Sequence, residues 1–179
     1  DLGCGTGRNS LFLAQMGLAV QAFDLAPGGV SRLREAAAQR ALAIGLAVAD
    51  MLALPYADGV FDGVLAFHVV YHTDRLGIER VISEIHRVLR PGGEALITFN
   101  SRSNPSYRDP ANQWVDEHTT IRTDGPEAGV PHYYVDEAEV RRLLARFAIA
   151  RLSHVEEIGP DWRSCHYFAL AAREQAQDN

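Results

Sequence analysis

Residues 1–10 read DLGCGTGRNS, and the passage of the chain through Gly3, Gly5 and Gly7 decides the fold. Three glycines at alternate positions directly behind an aspartate describe a turn in which a buried strand passes into a helix. Glycine tolerates φ > 0 and carries no Cβ, so a ligand can lie against the backbone where the helix begins. Only one or two residues of the strand precede the turn. In a doubly wound sheet that strand lies in the middle, and removing it leaves two edges with unpaired backbone groups and a gap in the core. The sequence is therefore expected to be a fragment of a longer native protein.

Beyond the turn, short apolar runs alternate with amphipathic segments, the pattern of an α/β domain with a largely parallel sheet. Arg8 to Met16 reads as a helix stopped by Gly17, Ala19 to Asp24 as a strand, Val30 to Ile44 as an alanine-rich helix closed by Gly45, and Leu46 to Asp50 as a third strand. Phe61 to His68 is almost continuously apolar, as in a strand covered on both faces. Ile78, Val81, Ile82, Ile85, Val88 and Leu89 fall on one helical face, which RPGG at 90–93 terminates. Glu94 to Asn100 follows as a strand. Asp136 and Glu139 have capping-box spacing, with Asp in place of Ser or Thr, ahead of the apolar face Val140, Leu143, Leu144 and Phe147. Ile149 to Ile158 and Ser164 to Ala172, with GPDW between them, read as an antiparallel pair, and REQAQDN at 173–179 as a frayed tail.

Residues 1–179 form a single domain on this reading, with regularity lapsing from Ser101 to Tyr134. That segment mixes Tyr107, Trp114, Tyr133 and Tyr134 with Arg102, Arg108, Arg122, His118 and His132, which is too aromatic for a plain linker. An irregular insertion or lid over the substrate side, spanning 101–134, is the expectation.

Composition narrows the function classes. A net charge of −6 and a pI near 5.6 argue against a general grip on nucleic acid or an anionic membrane. The two cysteines, Cys4 and Cys165, show no metal-ligand spacing, and the reading is a reducing, cytoplasmic setting without disulfides. No signal peptide and no apolar run approaching 18 residues occurs in the residues shown. Cys4 by itself reads as a small buried filler, since no basic partner is evident for a reactive thiol.

Two cofactor classes use a glycine turn of this kind. The dinucleotide fingerprint G-x-G-x-x-G/A needs a small third residue; counting from Gly3 puts Arg8 there, and counting from Gly5 puts Ser10 there. The pattern D-x-G-x-G-x-G instead resembles motif I of class I S-adenosylmethionine-dependent methyltransferases. QAFDLAP at 21–27 is similar to the second motif, VADMLALPYADGVFDGVLAFH at 48–68 to the third and fourth, and EIHRVLRPGGEALITF at 84–99 to the family's helix, turn and fifth strand. The resemblance covers nearly the whole chain. It implies a Rossmann-like, doubly wound, mostly parallel seven-stranded sheet with an antiparallel last strand, the first strand largely missing here, and a helix upstream that closes over the cofactor.

The same resemblance implies S-adenosyl-L-methionine as cofactor. Asp1, Gly3, Cys4, Gly5 and Gly7 would form the turn beneath it, Asp24 with Leu25 would meet the ribose, Asp50 and Met51 would approach the adenine, and Phe67 would line the methionine end. GRNSLFLA, EVRRLL and FALAARE look like the tellurite-resistance branch of small-molecule methyltransferases, and VLRPGG like the ubiquinone-biosynthesis type.

Methyl transfer depends mainly on in-line positioning, worth roughly 7–11 kcal/mol, and a base is needed only for a protonated acceptor. Candidate bases are His68, at the mouth of the site after the fourth strand, and His132 and Tyr133 from PHYY in the insertion; His72 reads as a capping or packing histidine. The histidines lack H-E-x-x-H or similar spacing, so no metal is expected, and no G-x-S-x-G elbow supports nucleophilic catalysis. FHVV stands where an N-P-P-Y-type amino-methylating motif would follow strand four, which favours a small-molecule acceptor. A nicotinamide-dependent oxidoreductase and a noncatalytic relative serving as a binding module stay open as alternatives.

Overall fold

A computed structural model describes residues 1–175. The glycine turn feeds α1 (Arg8–Gln15), and the chain continues through β1 (Val20–Asp24), α2 (Pro27–Gln39), β2 (Ile44–Val48), β3 (Phe61–Ala66), α3 (Arg75–Val88) and β4 (Leu89–Ser101). A single 3-10 turn at Pro105–Arg108 precedes three short strands, β5 (Gln113–Trp114), β6 (Thr119–Ile121) and β7 (Pro131–Val135). Then α4 (Glu137–Leu143) leads into β8 (Phe147–Ile158) and β9 (Arg163–Arg173).

β1 pairs with β2 in parallel, as β3 does with β4, whereas β9 runs antiparallel to both β4 and β8. The first two residues join these groups. Leu2 N–H donates to the Leu65 carbonyl at 2.8 Å, Phe23 N–H donates to the Asp1 carbonyl at 3.2 Å, and Leu2 bridges Phe23 in parallel register. Asp1 and Leu2 thus hold the central strand position, and the order across the sheet is β2, β1, Leu2, β3, β4, β9, β8. This is the expected doubly wound α/β sheet with its late antiparallel strand.

Local sequence explains the helices. α3 starts where Asp74 accepts from Gly77 N–H at 2.8 Å, and it buries Ile78, Val81, Ile82, Ile85 and Val88 against the sheet. Each such side chain contributes about 1.5–3 kcal/mol relative to exposure. Arg173 of β9 donates to the carbonyls of His86, Arg87 and Leu89 at 2.6–3.2 Å, tying the end of that helix to the antiparallel edge. α4 is capped as its spacing suggested, with Asp136 accepting from Glu139 N–H at 2.9 Å.

Several boundaries differ from expectation. α2 begins at Pro27 and not Val30, because proline suits a first helical turn. It ends at Gln39, Ala41 takes a left-handed φ of 52°, and β2 starts at Ile44 instead of Leu46. RPGG stops α3 but does not delay the strand. β4 begins at Leu89, and its register against β3 slips between Phe61↔Leu89 and Gly63↔Glu94, absorbing the extra residues as a bulge.

The segment 101–134 is irregular only in part, because three short strands run through it. β7 pairs in parallel with the end of β4 at Asn100↔Tyr134, β6 runs antiparallel to β7, and β5 antiparallel to β6, so a meander extends the sheet beyond the C-terminal end of β4. Strands of two, three and five residues, holding the buried polar pair Thr119 and Thr120, are too short and too polar to display alternation. Of the expected tail, Arg173 belongs to β9, and 176–179 lie outside the described residues. Among the described residues no helix is long and apolar enough to cross a membrane.

Candidate active site

The turn and the end of β1 form one hydrogen-bonded unit. Gly3, Gly5 and Gly7 have φ of 67°, 53° and 91°, and Gly7 opens α1. A Cβ at Gly3 would stand 2.3 Å from Val69 and one at Gly7 2.1 Å from Leu33, whereas one at Gly5 meets nothing within 4 Å. Gly3 and Gly7 therefore face packed side chains, and Gly5 presents the open face of the turn. Asp24 fastens it: Oδ2 accepts from Gly5 N–H and Oδ1 from Ala26 N–H, each at 2.8 Å. A carboxylate has about four lone-pair sites, so two remain for a ligand. Leu25 beside it is 68% exposed, an uncovered apolar side chain.

Asp50 comes alongside because Ala49 N–H donates to the Asp24 carbonyl at 3.1 Å. Its carboxylate accepts from Leu52 N–H at 2.9 Å, a local turn that leaves the other oxygen free of protein partners, and Met51 packs half-buried on the core. Phe67 sits beneath the Arg8 guanidinium, 5.5 Å from the ring centroid. The side chains of Asp1 and Cys4 are engaged within the protein. The Asp1 carboxylate accepts from the fully buried Ser10 hydroxyl at 2.5 Å. The Cys4 thiol packs with Val20, Ala22 and Leu33, and burial, with Asp24 nearby, pushes its pKa up to about 11.

From Phe67 a row of rings leads away from the turn. His68 lies 4.3 Å from Phe67 and 4.4 Å from His166 between centroids, and Tyr71 stacks on His166 at 6.0 Å. Beyond them opens a cavity of about 510 Å³, whose polar lining includes Tyr71, His72, Asn100, Asn104, His132 and His166, with Arg108, Arg122 and Glu127 at its rim. His68 holds a left-handed φ of 54°, uncommon for a residue with a Cβ and a conformation that concentrates at functional sites. Its Nδ1 is 3.2 Å from the Tyr71 hydroxyl. With Nδ1–H donating to the phenol oxygen, Nε2 is left with a lone pair for a substrate proton. Burial lowers the pKa of His68, so the ring is neutral near pH 7.

His132 and Tyr133 part company. Successive strand residues face opposite sides: His132 turns into the cavity, whereas Tyr133 is fully buried on the other side, stacked on His118 at 5.2 Å and donating to Glu139 at 2.5 Å. Tyr133 is a packing residue for α4 and is withdrawn as a candidate base. His72, read from sequence as packing, instead joins the cavity; burial, then His132, lowers its pKa to about 4.

Sequence reading missed Tyr71, Asn100, Asn104, Glu127 and His166, which come from four separate segments. It also missed that His72, Glu127 and His132 converge, their ligand atoms lying within 4.8 Å of one another. No linear spacing encodes a cluster assembled from a loop after β3, a loop after β6 and a strand.

His166 gives the site a pH signature. Burial, then His68, lowers its pKa from 6.5 to about 4. In the unfolded chain the ring takes up its proton near pH 6.5, so between pH 6.5 and 4 the unfolded state binds more protons, and stability falls with pH through that window. His166→Gln is expected to flatten the slope of unfolding free energy against pH there by up to about one proton, read from urea midpoints at pH 4.5, 5.5 and 7.

Comparison with known proteins places these features in context. The profile of the family described as a methyltransferase domain matches residues 1–97, which hold the glycine turn, Asp24, Asp50, Phe67, Tyr71 and His72. The demethylmenaquinone methyltransferase of Thermus thermophilus is 38% identical over 100 residues, covering 54% of this chain and 44% of that protein. A malonyl-[acyl-carrier protein] O-methyltransferase of Pseudescherichia vulneris is 35% identical over 133 residues, 69% of this chain and 51% of that protein. The chain thus spans about half the length of the curated relatives it matches. Among solved structures, a SAM-dependent methyltransferase of Methanosarcina mazei superposes with a TM-score of 0.85 at 23% identity, covering 98% and 92% of the two chains.

Proposed function

The chain belongs to the class I S-adenosylmethionine-dependent methyltransferases, and from that premise we propose that it methylates a small-molecule acceptor held in the cavity beyond His68. One observation carries the reading: Phe67, beneath the guanidinium of Arg8 at the start of the helix that the glycine turn feeds, begins an aromatic row that runs through His68 and His166 to a polar cavity of about 510 Å³. Two relatives are named for demethylmenaquinone and for the malonyl group of an acyl-carrier protein. The polar lining of the cavity supports an acceptor with oxygen or nitrogen groups.

The residues fit the cofactor. Gly5 leaves backbone uncovered, Asp24 keeps two lone pairs for hydroxyl donors, Leu25 offers an apolar face, and Asp50 has an oxygen available for an amino group. When bound, S-adenosylmethionine supplies an activated methyl whose leaving group is a neutral thioether. The protein has little covalent work to do. Phe67 and the Arg8 guanidinium wall off the reacting end, Tyr71 and His166 orient the acceptor, and His68 Nε2 takes its proton where one must leave. Such general-base help is worth on the order of 10²–10⁴-fold. The low net charge density and the buried, unpaired cysteines suit a cytoplasmic enzyme with no nucleic-acid partner.

Isothermal titration of S-adenosylhomocysteine and of NADH, followed by transfer of labelled methyl to a panel of hydroxyl, carboxyl and quinol acceptors, tests this. Binding of S-adenosylhomocysteine alone, and label on at least one acceptor, is expected. Preference for NADH, or binding with no transfer to any acceptor, would point to the oxidoreductase or the noncatalytic reading.

A further inference from the structure

We propose that His72, Glu127 and His132 form a site for one divalent transition-metal ion, zinc by ligand chemistry, with a fourth position open to the cavity. His72 comes from the loop after β3, Glu127 from the loop between β6 and β7, and His132 from β7. His132 Nε2 is 3.1 Å from Glu127 Oε2, and His72 Nε2 is 3.7 Å from Glu127 Oε1. Zinc–ligand bonds of about 2.0–2.1 Å place neighbouring atoms of a tetrahedron about 3.3 Å apart; the two separations lie near that value, and with all three ligand atoms within 4.8 Å of one another, side-chain adjustment would bring them onto one ion.

The orientation of His132 carries the case further. Its Nδ1 is 3.0 Å from the Val130 carbonyl, which can only accept, so Nδ1 bears a hydrogen and Nε2 presents its lone pair toward the carboxylate. With that lone pair 3.1 Å from the carboxylate, a metal placed between them would be held by both and would recruit His72 as well. A backbone carbonyl holding the far nitrogen of a ligand histidine is the usual outer support in metal sites, since it sets both tautomer and ring angle. Arg122 ion-pairs with Glu127 Oε2 at 3.3 Å and holds the carboxylate in place.

Three protein ligands with a vacant fourth direction is the arrangement of zinc sites that bind an exogenous group, as opposed to closed structural sites. Asn100, Asn104 and Tyr71 line the same cavity as the three ligands. An anionic oxygen donor, a carboxylate or phenolate, is the class of group the fourth position would take. Metal binding itself does not rest on the methyltransferase reading; only the assignment of that oxygen donor to the acceptor does.

The test is titration of Zn²⁺ into chelator-treated protein, with Co²⁺ as a spectroscopic substitute and S-adenosylhomocysteine affinity measured in the same samples. One equivalent of Zn²⁺ and the visible bands of four-coordinate Co²⁺ are expected. Glu127→Gln and His72→Gln, both at partly exposed side chains, should each weaken Zn²⁺ binding by about 100-fold or more and leave S-adenosylhomocysteine binding unchanged. His132→Ala serves as a third variant where it folds. No stoichiometric Zn²⁺ binding, or equal affinity in wild type and both Gln variants, overturns the site. Loss of S-adenosylhomocysteine binding in the wild type counts against the function reading alone.

Discussion

Replacing Asp24 by alanine is expected to weaken S-adenosylhomocysteine binding about 100-fold, the equivalent of roughly one or two charge-assisted hydrogen bonds at 1.5–3 kcal/mol each. The carboxylate has two tasks that fail together. It holds Gly5 N–H and Ala26 N–H, each at 2.8 Å, and so sets the path of the turn relative to β1. Its remaining lone pairs would receive the cofactor's hydroxyl groups. Because the two N–H groups lie partly open to water, the cost to the fold should be smaller, about 1–2 kcal/mol. Asp24→Asn retains one acceptor oxygen and loses the charge, so its affinity should fall between the two. Calorimetry paired with urea unfolding separates the tasks: an affinity within about threefold of wild type in a folded Asp24→Ala protein would show that the carboxylate only braces the turn.

The second large effect distinguishes glycines that sequence treats alike. Gly3→Ala forces a Cβ to 2.3 Å from Val69 Cγ2 on a backbone at φ 67°, so overpacking adds to left-handed strain. Costs of about 1–3 kcal/mol for the first and 1–2 for the second predict a loss of roughly 2–5 kcal/mol, a large part of a small domain's stability. Gly5→Ala carries only the strain, at φ 53° with nothing within 4 Å, and should cost about 1–2 kcal/mol. Its methyl group, however, occupies the open face of the turn. The expected pattern is therefore a destabilised Gly3→Ala protein and a folded Gly5→Ala protein that binds S-adenosylhomocysteine at least about tenfold more weakly. Unfolding midpoints and titrations on the same preparations check it, and the reverse ordering would mean that the ligand does not lie over Gly5.

Alternation of apolar runs with amphipathic helices, the glycine turn and an acid one strand later were legible in sequence because they are local. A turn needs glycines at set positions, a helix needs its 3.6-residue stripe, and Asp74 and Asp136 each cap a helix by accepting from an N–H three residues on. Family membership and the cofactor side of the site follow from such local patterns. The same logic fails where elements are short. β5, β6 and β7 hold two, three and five residues, and their order comes from pairing with β4 and with each other, contacts that no window of neighbouring residues records.

The acceptor side was decided in the same way. PHYY offered His132 and Tyr133 together as candidate bases, but the pleat of β7 sends His132 into the cavity and Tyr133 beneath α4, and only pairing with β4 and β6 fixes which faces which. Asn100, Glu127 and His166 carry no motif, because a cavity wall is made of residues that meet across the fold and share no spacing along it. Sequence by itself determined the long strands, the helices and the glycine turn, since each is written in neighbouring residues. Tertiary structure alone decided the cavity, the burial that lowers the pKa of His72 and His166 beside it, and the convergence of His72, Glu127 and His132, since burial and proximity arise only when distant strands pack.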